Sequence, residues 1–220
     1  DDDMRDDDMR DDDMRDDDMR DYKMRDDDMR QDVLYEFNKV GEAIFSIASG
    51  NMFYSKIYAS LFKDLMEHFP VMEDIFKGNF TKFNEIFKSI NYCDPKEDYD
   101  KYCDINKENE KRRAISAFYV NLMKLGVVEK GVILSIVTDL QSYQTKMLDE
   151  KDVKHVVDEL SEVLFIIISN IVDRFDRTLN ADWNDIINRV EVITKMKAND
   201  KPSITSKSIF KHMDIMDMMH

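Results

Sequence analysis

The chain has 220 residues, 43% of them hydrophobic, enough for one ordinary domain with a real core or for a short array of helical repeats. Its formal net charge is −15, unevenly placed: residues 1–30 carry 16 Asp against 6 Arg and 1 Lys, while the rest of the chain carries 31 acidic against 25 basic residues. A folded region that is itself mildly acidic argues against a nucleic-acid binder working through bulk charge, and leaves room only for a local basic patch.

Residues 1–30 repeat the pentad DDDMR, with one copy altered to DYKMR. A five-residue step turns a helix by about 500°, so the Met residues scatter around the axis and build no stripe. Asp is a poor helix former, and like charges three deep repel. The segment reads as an acidic low-complexity arm: a solvated spacer, an electrostatic partner-binding tail, or the remnant of an expression tag. The folded region is expected to be 31–220.

Five Gly and three Pro in the whole chain disfavour a turn-rich β protein. Asp32–Ser49 is amphipathic and stops at Gly50-Asn51. Phe53–Phe69 places Ile57, Leu61, Leu65 and Phe69 at i, i+4 spacing, which predicts the buried face of a helix ending before Pro70. Val71–Ile90 is predicted helical with one break at Gly78-Asn79, and Asn91–Asp104 reads as an acidic, Pro-containing loop. Helices then follow over Asn106–Leu125 (Ile115, Phe118, Leu122, Leu125), Val127–Tyr143 (Ile133, Ile136, Val137, Leu140) and Asp149–Phe175. In the last of these Asp149 and Glu150 suit the N-terminal end of the dipole. Asp182–Lys197 carries Trp183, Ile186, Ile187, Val190 and Ile193. The terminal segment, KSIFKHMDIMDMMH, offers the stripe Ile209, Phe210, Met213, Ile215 and Met216. No segment has strand period, so the fold class is all-α. Short links make neighbouring helices antiparallel, as in an α-solenoid or an irregular bundle.

The chain offers no phosphate loop, dinucleotide fingerprint or HExxH pair, and none of His68, His155, His212 and His220 is spaced for a shared metal. No catalytic residue, cofactor or metal is expected. DYDKYCDINKENE, from Asp98, resembles a calcium loop, but Cys103 stands at the turn position and Asn109 where the bidentate ligand belongs. Cys93 and Cys103 read as unpaired thiols in a reducing compartment. The N-terminus is acidic rather than basic-then-apolar, and no apolar run is long enough to span a bilayer. A cytoplasmic protein without a membrane partner is expected. The one basic cluster, Lys107, Lys111, Arg112 and Arg113, opens a helix, with Glu108 and Glu110 partly cancelling it. It is either a solvated face or a small patch for RNA phosphate or an acidic partner.

Four segments are similar, in their order, to the middle domain of the translation initiation factor 4G family. GEAIFSIASGNMFYSKIYASLFKDLMEHFP resembles that domain's second and third helices, with Tyr58, Ala59 and Leu61 at the Tyr-Ala-x-Leu positions. EKRRAISAFYVNLMKLGVVEKGVI resembles its basic-start helix, matching at Phe118, Leu122 and Leu125. DEKDVKHVVDELSEVLFIIIS resembles its acidic-start helix, and ITSKSIFKHMDIMDM its closing helix, with Ser206, Lys207, Phe210, Asp214 and Asp217 in register. Ser116-Ala117 stands where the family has Gly-Asn, Ile209 where it has Arg, and little chain precedes Asp32 for its opening helix.

The resemblance implies a HEAT-type α-solenoid of antiparallel helix pairs, with the terminal stripe packed on the Trp183 helix. It implies a non-catalytic scaffold that binds and stimulates a DEAD-box RNA helicase of the initiation factor 4A type. RNA contacts would be weak, and any cap-binding partner would engage regions outside this chain. The same domain also serves RNA-decay and poly(A)- or cap-linked regulatory adaptors. A compact regulator of the Bcl-2 kind is the rival from a different class, distinguished by one apolar helix wrapped by the others.

Overall fold

The structure is a computed structural model that describes residue 29, residues 31–176 and residues 179–219, with only the backbone of Asn84. The arm at 1–28 lies outside the described residues. Two units divide the chain, Asp1–Ala43 and Ile44–His220. Helix α1, residues 31–50, runs through the division. In the first unit its large apolar residues Val33, Leu34, Tyr35, Phe37 and Val40 are exposed.

The second unit continues with α2 (Ser55–His68), α3 (Pro70–Thr81), a 3-10 turn at Phe83–Phe87, α4 (Tyr99–Lys124), α5 (Lys130–Leu148), α6 (Lys154–Ile171), a 3-10 turn at Val172–Arg174, α7 (Ala181–Thr194) and α8 (Ser206–Asp217). The described residues form no strand. The all-α expectation therefore holds, and several boundaries move for identifiable reasons.

Gly78-Asn79 does not break α3. The Asn79 amide donates to the Ile75 carbonyl at 2.9 Å, and the helix runs on to Thr81. Helix α4 begins at Tyr99, seven residues before the expected start at Asn106 and inside the expected loop, because Asp98 caps it by accepting from the Lys101 N–H at 2.9 Å. Asp149 and Glu150 do not open α6. Asp149 caps the C-terminus of α5 and pairs with Lys201 at 2.6 Å, and Asp152 turns the chain at φ 62°. At α8 the expectation of a terminal helix holds: Thr205 and Ser208 form a reciprocal capping box.

Two helices bury only part of the face that their large apolar residues predict: Ile209 and Ile215 of α8 are buried and Leu65 of α2 packs on the core, but other members of each line are not. On α2 the buried residues are Ser55, Ala59 and Phe62, while Ile57, Leu61 and Phe69 are exposed. On α8 they are Ser208, Ile209, His212 and Ile215, while Phe210 is 61% exposed and Met213 also faces outward. In both helices small or polar residues share the buried face with large apolar ones, Phe62 on α2 and Ile209 and Ile215 on α8.

Within the second unit α4 packs against α2 on one side and α6 on the other, and α6 packs in turn against α8. Helix α5 packs against α6 and α7, and α7 against α8. A cluster of rings fills the end nearest α2. Phe45 meets Phe62 and Phe118 edge-on at 5.6 and 5.8 Å, and Phe76, Phe80 and Phe83 surround Tyr119 at 4.6–6.0 Å. At the other end Trp183 is fully buried and stacks on Phe175 at 5.2 Å.

Candidate functional site

Helix α4 carries the basic cluster, and its register divides the four side chains. Lys107 points outward and pairs with Asp104, one turn earlier, at 3.0 Å. Lys111 is exposed one turn on. Arg112 is 5% exposed: its Nε donates to the Ile86 carbonyl at 2.9 Å and a terminal nitrogen to the Ser89 carbonyl at 3.3 Å. It thereby ties the segment after the first 3-10 turn to α4. Arg113 makes a two-pronged pair with Glu159 of α6, its Nε donating at 3.1 Å. Glu159 is 3% exposed and also lies 3.7 Å from Arg112.

Burial dominates the electrostatics of this trio. It pushes the Glu159 carboxyl above its ordinary range, opposed by Arg113 and Arg112. It also lowers the Arg112 guanidinium, with Glu159 working the other way. Two of the four residues expected to form a patch are thus structural groups holding α4 to α6. Only Lys107 and Lys111 remain at the surface, and Lys107 is already paired. The four do not converge on one face.

Sequence reading missed another cationic site, because its residues are scattered along the chain. A cleft of about 730 Å³ lies among α2, α4 and α6, and brings together Lys56, Lys124 and Arg174. Phe53 and Phe165 also line it, with Asn121, Ser60 and Ser169. No spacing rule links these positions; the packing of α4 between α2 and α6 assembles them.

Among the described residues no group of three or more His, Cys, Asp or Glu side chains could hold a metal ion. Cys93 and Cys103 are both free thiols. No described helix is long and apolar enough to cross a membrane. Compared with family models, curated proteins and solved structures, the chain matches none.

Proposed function

We propose that the chain is a non-catalytic helical-repeat scaffold that binds and stimulates a DEAD-box RNA helicase of the initiation factor 4A type, in support of translation initiation. One observation carries this reading beyond the sequence resemblance: the order in which helices pack. In a HEAT-type solenoid each helix packs against its hairpin partner and against the equivalent helix one repeat on. In the second unit α2 packs on α4, α4 on α6, α6 on α8, and α5 on α7, an order that supports the repeat reading. A regulator of the Bcl-2 kind would instead wrap one apolar helix with helices distant in sequence. Helix α6 packs against α4, α5 and α8, as the central helix of that rival would; the row order of α2, α4, α6 and α8 is what supports the repeat.

A scaffold of this type works by geometry. Its helix ends and links offer a fixed surface on which two helicase lobes settle in their closed arrangement, and closure speeds the nucleotide cycle. RNA would be a minor ligand in the cytoplasmic complex, held at Lys107 and Lys111 rather than at the full basic cluster. A cap-binding partner would engage regions outside this chain.

Gel filtration of the purified chain with its source's helicase tests the reading. Co-elution is expected in the presence of ATP analogue and RNA. Separate elution at micromolar concentrations would sink it and move an RNA-decay or regulatory adaptor ahead.

A further inference from the structure

We propose that the cleft among α2, α4 and α6 docks a short acidic segment of a partner protein, with carboxylates on Lys56 and Lys124 and an apolar side chain on Phe53. Charge is the first argument. Lys56, Lys124 and Arg174 line one cleft, and the single carboxylate among its lining residues, Asp173, lies 3.3 Å from Arg174. Lys124 donates to the Asn170 side-chain oxygen at 3.4 Å. Burial lowers the Lys124 ammonium from its ordinary value, and Arg174 and Lys56 add to that effect while Asp173 opposes it. A carboxylate entering the cleft would relieve that cost.

Apolar surface is the second argument. Phe53 is 87% exposed at the mouth of the cleft, with Tyr54 set edge-on to it at 4.8 Å. The outward face of α2 continues this surface through Ile57. Phe165 and Met52 line the cleft itself, and Asn121, Ser60 and Ser169 add polar lining, their side chains donating to Ser55, Lys56 and Ile166.

The charge balance selects a peptide over nucleic acid. The chain beyond residue 30 is net acidic, which repels the long, uniform charge of a nucleic acid more than a few carboxylates on a short segment. Asp173 within the cleft also opposes a run of phosphates, whereas separate lysines suit separate carboxylates. Docking of this kind is independent of helicase binding, and the assay below contains no helicase.

Fluorescence anisotropy of the full chain tests it. The probe is a short fluorescein-labelled peptide alternating Glu with Leu and Phe, run beside its Glu→Gln counterpart and a labelled uridine oligonucleotide. The acidic peptide should bind and the Gln peptide should bind at least several-fold more weakly. Lys56→Glu with Lys124→Glu should weaken binding about tenfold, and Phe53→Ser about fivefold, while Lys96→Glu, outside the cleft, leaves it unchanged. Should the half-buried Lys124 variant lose its fold by circular dichroism, the exposed Lys56→Glu and Phe53→Ser variants decide alone. Absence of peptide binding, equal binding of the Gln peptide, or indifference to Lys56→Glu and Phe53→Ser would overturn the proposal. So would an oligonucleotide that binds more tightly than the peptide and loses affinity on the same charge reversal.

Discussion

Arg112 and Lys107 lie little more than a turn apart on α4, and the fold uses them in opposite ways. Arg112 donates to the Ile86 and Ser89 carbonyls and faces Glu159 from the interior, while Lys107 meets only Asp104 in solvent. Truncating one member of a buried charged network leaves the others uncompensated. Arg112→Ala should therefore cost about 3–5 kcal/mol in urea unfolding, whereas Lys107→Ala should leave the midpoint where it is. Equal effects would mean that Arg112 is not anchored as described. Tyr119 offers a complementary case. Its ring sits amid Phe76, Phe80 and Phe83, but its buried hydroxyl meets no donor or acceptor among the described residues. Burial pushes its ionisation well above the ordinary tyrosine value. Tyr119→Phe removes a polar atom while keeping the ring, so thermal melting should stay level or rise; a drop of several degrees would reveal a hydrogen bond not accounted for.

At the scale of the element, α8 shows what a buried base does to stability. His212 is fully buried, and its Nδ1–H donates to the Ser208 carbonyl at 2.7 Å. Burial holds its pKa at about 4, against 6.5 when unfolded, with the Ser208 contact opposing the shift. The unfolded chain thus takes up a proton below about pH 6.5 that the folded chain refuses until about pH 4. Stability from this group is fully present above pH 6.5 and falls across that window, by about 3 kcal/mol in all. His212→Gln should flatten the slope of unfolding free energy between pH 6.5 and 4, and an unaltered slope would show that His212 titrates freely.

The same helix marks the limit of what a sequence yields. Its existence was legible from periodicity, and its packing on α7 was expected from the family resemblance. Its buried face was legible only in part: Ile209 and Ile215 are buried as the stripe requires, but a count of large apolar residues gives no weight to Ser208 and His212. The same holds on α2 for Ser55 and Ala59, where Asn121 of α4 donates to Ser55 at 3.0 Å. Phe210 and Ile57, which look like core, stand outside those faces. The basic cluster misled for a related reason: charge is visible in sequence, but the burial that turns Arg112 and Arg113 inward depends on Ile86, Ser89 and Glu159, which lie 23 to 46 residues away.

At the scale of the whole molecule, the helix order and the short links were readable, and from them the all-α class. The cleft was not, since Lys56, Lys124 and Arg174 meet only after α4 has packed between α2 and α6. The proposed scaffold would act on a partner's equilibrium rather than by chemistry of its own. The most direct measurement is a steady-state titration of the chain into its source's DEAD-box helicase, reading RNA-dependent ATPase. The account predicts a saturable rise in ATPase, with no hydrolysis by the chain alone. An unchanged helicase rate at saturating chain, or ATPase from the chain by itself, would contradict it.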